Sequence, residues 1–229
     1  AKKQKNTVVV LTNGSAVTMP WLNEVSGLLE AWLGGQAGAG AIADVLFGEV
    51  NPSGKLSETF PGRHEDMPTY HNFPGESREV LYGERIFVGY RYFDDRTLEP
   101  EFPFGFGLSY TSFDYSNLQV SSKKISDKDE LTVTATITNT GDVEGKEAVQ
   151  LYVADPESRL QRPEKELKAF TKVTLAPDES KEVSFKLDSR AFSYYDARRD
   201  MWIAESGEFQ IRIGASSRDI KLRETINLE

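Results

Sequence analysis

Six carboxylates lie within three positions of an aromatic or glycine residue: Glu76, Glu79, Glu84, Asp94, Asp95 and Asp196. Two carboxyl groups about 5–9 Å apart, with rings that stack on sugar faces, are what glycoside cleavage requires. The residue types suit that chemistry, but their spacing in space is not encoded in one sequence. For any one of these acids, an exposed or structurally paired carboxylate is the stronger reading.

Other constellations carry less. The two histidines, His64 and His71, stand seven positions apart beside Glu65 and Asp66. A metal site needs at least three converging ligands, so no metal is assigned. Ser, His and Asp all occur, yet no Gly-x-Ser-x-Gly elbow does. Gly34-Gly35-Gln36-Ala37-Gly38-Ala39-Gly40 follows a candidate strand and opens a helix, a geometry in which backbone N–H groups cradle phosphate. Its spacing matches neither a P-loop nor a G-x-G-x-x-G fingerprint. Close helix–strand packing is the expected reason for these glycines, and no cofactor is expected.

These groups sit in a chain of 229 residues, 38% hydrophobic and 28% charged, the balance of a globular protein. The net charge of −9 repels a phosphate backbone. The basic clusters Lys2-Lys3-Gln4-Lys5 and Ser121-Ser122-Lys123-Lys124 read as solvated ends beside strands, so no nucleic acid is expected. No run approaches the roughly 18 apolar residues of a membrane span. The absence of cysteine excludes disulfides and thiol chemistry and slightly favours a reducing, cytoplasmic setting.

The first half reads as α/β. Thr7 to Leu11 is a β-branched run suited to a buried parallel strand. Pro20 is placed to open a short helix through Trp21, Leu22 and Val25. Leu28 to Leu33 is a strand or a continuing helix, and the glycines after it favour the strand. Gln36 to Phe47 is helical by its three- and four-residue apolar spacings, with Gly48 as the stop. A strand at Leu56–Phe60 would complete a strand–helix–strand–helix–strand order with parallel strands. Residues 61–113 are long on loop and rich in aromatics, expected to join one domain to another.

From residue 114 the pattern becomes all-β. Leu131, Val133, Ala135 and Ile137 alternate with Thr132, Thr134, Thr136 and Thr138. Further strands are expected at 115–121, 147–154, 165–175, 182–188, 201–213 and 220–228. Seven strands without a cysteine pair predict a fibronectin type III-like sandwich over 114–229, after an α/β part over 1–113.

Several strings, in this order, resemble family 3 glycoside hydrolases. They are Ala41 to Gly48 leading into Asn51-Pro52-Ser53-Gly54-Lys55-Leu56, then Phe60-Pro61, Tyr82-Gly83-Glu84 and Phe87 to Asp94. Pro103 to Thr111, Val133 to Gly141, Gly145-Lys146-Glu147 and Val149 to Val153 follow. Glu166 to Phe170, Gly207-Glu208-Phe209 and Gly214 to Ile220 close the series. The resemblance covers essentially the whole chain. It implies a (β/α)8 barrel, then an α/β sandwich domain and a fibronectin type III-like domain, of which this chain would hold the rear of the second and all of the third. It implies retaining hydrolysis of β-glucosides or oligosaccharides, with an Asp on the barrel as nucleophile and a Glu in a Gly-Glu-Gly-x-Asp-Arg-like stretch as acid/base. No such stretch occurs here, so no catalytic residue is assigned to this chain. A β-branched strand at its start would leave an open sheet edge, and an upstream barrel part, covalent or associated, is expected to cover it. Tyr82, Glu84, Arg85 and Tyr90 are expected to line or brace the rim of the substrate site. The sandwich is expected to act as a brace or homodimer contact. The alternative is a non-catalytic carbohydrate-binding or scaffold fragment.

Overall fold

The computed structural model describes residues 3–229, so Lys2 of the first basic cluster lies outside the described residues. Strand β1 (Val8–Leu11) runs parallel to β2 (Gly27–Glu30), with Val8 opposite Gly27 and Leu11 opposite Glu30. The helix expected from Pro20 is only a single 3₁₀ turn, Leu22–Glu24. So short a segment does not recover the cost of helix nucleation. Helix α1 (Gly38–Leu46) ends where Gly48 takes φ 80° and donates its N–H to Val45 O at 3.1 Å, the glycine stop expected there. No residue of α1 is buried. A Cβ on Gly38 or Gly40 would meet nothing within 4 Å. Close packing of this helix on a strand of the chain therefore does not account for those glycines; the tight approach is Gly34 onto the Gly38 backbone, where a Cβ would stand 3.0 Å away.

The strand expected at Leu56–Phe60 does not form. The segment makes one antiparallel bridge, Phe60 to Phe102, and exchanges hydrogen bonds of 2.8 Å between Leu56 and both Phe106 and Gly105. The facing stretch contains Pro103, which has no N–H to donate, and Gly105 at φ 82°, so no ladder can propagate. The parallel order thus stops after α1. Residues 61–112 hold a 3₁₀ turn (His64–Asp66) and helix α2 (Tyr90–Asp95), the latter unforeseen in so aromatic a run.

The sandwich comprises β3 (Phe113–Val120), β4 (Lys124–Ile125), β5 (Leu131–Asn139), β6 (Gly145–Ala154), β7 (Glu166–Leu175) and β8 (Ser180–Leu187). Helix α3 (Ser189–Phe192) and the hairpin β9 (Tyr194–Asp196) and β10 (Met201–Ile203) precede β11 (Gly207–Gly214) and β12 (Ile220–Leu228). One sheet has the order β3-β5-β8, the other β4-β12-β11-β6-β7. The expected strand 201–213 is two strands: β10 pairs with β9, while β11 pairs with β12 and β6. The chain is therefore an α/β part followed by a fibronectin type III-like β-sandwich.

The alternation in β5 sets the core. Leu131, Val133, Ala135 and Ile137 are buried and meet Val149, Leu151 and Val153 of β6 and Phe209, Ile211 and Ile213 of β11. Strand β6 breaks the inside–outside rule, because its other face, with Gln150, Tyr152 and Ala154, is buried too. That face is covered by the segment around Tyr90, Phe104 and Gly105. The aromatic stretch is the second layer on an otherwise solvent-facing sheet.

Candidate functional site

The segment around the expected rim is built from consecutive tight turns. Arg85 takes φ 54° and donates its N–H to Tyr82 O at 3.2 Å; Phe87 N donates to Glu84 O at 2.9 Å. Tyr82 projects into solvent, 78% exposed, beside Leu81 at 75%. Glu84 is half-buried, and one carboxylate oxygen is enclosed with no hydrogen-bond donor among the described residues. Tyr90 differs from its three neighbours in the prediction. It is buried, its ring packs on Phe104 (5.1 Å) and edge-on to Tyr152 (5.9 Å), and its hydroxyl accepts from Leu167 N at 2.8 Å. The turns at 82–85 are thus held against β7 through Tyr90.

Three polar connections fix the α/β part on the sandwich. Asp94 of α2, buried, accepts from Lys165 at 2.5 Å and pairs with Arg218 Nε at 2.8 Å. Glu147 of β6 pairs with Lys55 at 3.1 Å and accepts from the Tyr115 hydroxyl at 2.7 Å. Burial pushes the Tyr115 hydroxyl far above its ordinary range, and the Glu147 charge and hydrogen bond add to the effect. Asn51 accepts from Ser109 Oγ and Tyr110 N and donates to Glu144 O. None of these pairs carries a sequence signal, since the partners lie 32 to 124 positions apart.

The other carboxylates do different work. Glu76 and Glu79 exchange backbone hydrogen bonds across an exposed two-residue loop. Asp95 is exposed and accepts from Gln161. Asp196 caps its own turn through Arg198 N and Arg199 N. His64 and His71 both pack edge-on against Tyr70, at 5.3 and 5.1 Å. No group of three or more His, Cys, Asp or Glu side chains is arranged to hold a metal among the described residues. No helix among them is long and apolar enough to cross a membrane.

A parallel strand pair followed by a helix, bound through aromatic loops to a fibronectin type III-like sandwich, defines a two-part α/β-plus-sandwich module. Residues 1–110 match the glycosyl hydrolase family 3 C-terminal domain, and residues 147–217 the fibronectin type III-like domain. The thermostable β-glucosidase B of Acetivibrio thermocellus is 57% identical over all of this chain, which covers 30% of that protein. An exo-α-(1→6)-L-arabinopyranosidase of Bifidobacterium breve is 47% identical, again over all of this chain and 30% of the relative. The crystal structure of a Bifidobacterium adolescentis family 3 β-glucosidase superposes with TM-score 0.94 and 47% identity, covering 99% of this chain and 33% of that one. The chain belongs to glycosyl hydrolase family 3 and corresponds to the C-terminal part of its members. It spans about a third of the length of the relatives it matches.

Proposed function

We propose that this chain is the C-terminal portion of a retaining β-glucosidase-like hydrolase that removes terminal β-D-glucosyl residues from glucosides and oligosaccharides. The near-complete superposition on a β-glucosidase carries this reading. The attacking Asp and the proton-donating Glu belong, in this proposal, to the portion of the enzyme outside the matched third, and this chain alone is inactive. The engagement of Asp94, Asp95 and Asp196 in structural contacts supports it. The unburied helix α1 and the two-stranded parallel sheet support an upstream barrel-bearing part docking there. Tyr82, Glu84 and Arg85 line the rim of the substrate site, and Tyr90 braces them. Strand β7, an edge strand with Phe170 72% exposed, is the proposed homodimer or brace contact.

Hydrolysis of an aryl β-glucoside, run beside intact mass and a denaturing gel, tests the proposal. Activity only when a second, larger polypeptide or a longer chain is present supports it. Turnover by the 229-residue chain alone overturns the assignment of the carboxylates elsewhere. An aryl α-L-arabinopyranoside in the same assay tests a second reading, favoured by the arabinopyranosidase relative.

A further inference from the structure

A groove of about 660 Å³ runs between the hairpin β9–β10, helix α3 and the start of β7. Five cationic side chains and two carboxylates line it, on a chain whose net charge is −9. At its base one carboxylate serves three cations: Glu166 meets Arg91 at 3.1 Å, Arg162 at 2.9 Å and Lys168 at 3.3 Å. Arg162 also pairs with Asp155 at 2.9 Å. Lys186 pairs with Glu130 at 2.9 Å, so with these partners counted five cations face four carboxylates, and positive charge exceeds negative by one. Burial, with the charges of Arg162 and Arg91, also holds the Lys168 ammonium below its ordinary range despite Glu166.

Arg190 of α3 is different from the other cations. It has no ion pair or side-chain hydrogen bond among the described residues; its Cζ rests 3.4 Å from the ring centroid of Trp202. Trp202 is held in turn by Tyr195, its cross-strand partner, with ring centroids 5.4 Å apart. A cation–π contact uses the face of the guanidinium and leaves its N–H fork free. The fork is thus pre-positioned without an acceptor. Tyr195 and Trp202, each 45% exposed, and Leu160 at 48% give the groove a partly apolar rim. A space of this size exceeds what a bare oxyanion fills, and aromatic and aliphatic rims suit the C–H faces of a sugar ring.

We propose that this groove binds an oxyanion carried on a sugar, a uronate carboxylate or a sugar phosphate, with Arg190 as its bidentate anchor. The excess positive charge draws the anion in, and the Trp202 stack keeps the arginine from folding onto the surface. The proposal does not depend on the hydrolytic reading.

Calorimetric titration of the 229-residue chain with sodium D-glucuronate, glucose 6-phosphate, inorganic phosphate and D-glucose tests it. Glucuronate or glucose 6-phosphate is expected to bind saturably, more tightly than inorganic phosphate, while glucose is not; which of the two binds identifies the source of the anion. Arg190→Gln is expected to weaken binding by about tenfold or more. Its thermal midpoint is expected to stay unchanged, and Arg190→Lys to restore only part of the affinity. Absence of saturable binding by both sugar anions, equal binding by Arg190→Gln, or equal binding of glucose and glucuronate overturns the anion site. Inorganic phosphate matching glucose 6-phosphate removes the sugar from the proposal.

Discussion

Lys165 and Asp94 meet at 2.5 Å with side chains only 4% and 2% exposed, although 71 positions separate them in the chain. Arg218 closes on the other oxygen of Asp94 at 2.8 Å. This triad, buried at Asp94 and Lys165, joins α2 to two loops of the sandwich. Removing the shared carboxylate leaves an ammonium in a dry interior, which costs far more than the pair itself contributes. Asp94→Ala is expected to lower stability by about 3–5 kcal/mol in urea unfolding. A loss below about 1 kcal/mol would place the pair in the class of exposed ion pairs and remove it as a clamp.

Gly105 is the second such junction. It sits at φ 82°, and a Cβ there would stand 2.2 Å from Gln150 Oε1. Gln150 is buried and already donates to Gly105 O and Ala215 O, so it has little freedom to move. Gly105→Ala is expected to cost about 1–3 kcal/mol through strain and overpacking. Gln150→Ala in the same background is expected to recover part of that cost, which separates the clash from the backbone penalty.

Acid sensitivity is expected to run through Glu166. Burial pushes its carboxyl up, but the Arg162 hydrogen bond and the charges of Lys168, Arg91 and Arg162 more than offset this and hold it below the carboxylate range. A carboxyl depressed in the folded state contributes stability above its unfolded pKa and loses it as pH falls through the folded value. The stability difference between the wild type and Glu166→Gln is therefore expected to hold from neutral pH to about 4.5 and to shrink as pH falls below about 4. A difference independent of pH would assign the acid limb to other groups.

At the alkaline end the sign reverses. Burial raises the Tyr115 hydroxyl, helped by Glu147, and burial with the nearby Tyr90 and Asp94 charges raises Tyr152. Both stay protonated in the fold where an unfolded tyrosine ionises, so their stabilisation is full below the ordinary tyrosine pKa and declines as pH rises above it. Ultraviolet titration to about pH 11 is expected to leave at least two of the nine tyrosines un-ionised until the protein unfolds. Complete titration in the native state would contradict the burial.

In the intact enzyme, Glu84→Gln tests the proposed rim. The enclosed oxygen of Glu84 has no donor among the described residues, so losing its charge is expected to raise KM for an aryl β-glucoside about three- to tenfold. The effect on kcat and on the unfolding midpoint is expected to be small. Unchanged KM with unchanged stability would take Glu84 out of the site.

Strand alternation in β5 is legible in the sequence, because inside–outside placement along a strand repeats every two residues. Local propensity also locates β1 through its β-branched run, the stop of α1 through Gly48, and the all-β character from residue 114 onward. It fails at Leu56–Phe60, where the residues favour a strand but Pro103 and Gly105 opposite them cannot continue a ladder. It fails again in β6, whose outer face is buried only because the aromatic segment lies across it. The Asp94–Lys165–Arg218 triad, the Glu166 cluster and the Arg190–Trp202 stack were decided by the tertiary structure alone. Backbone propensity acts over a few residues, whereas the burial and pairing of a charge depend on what the completed fold sets against it.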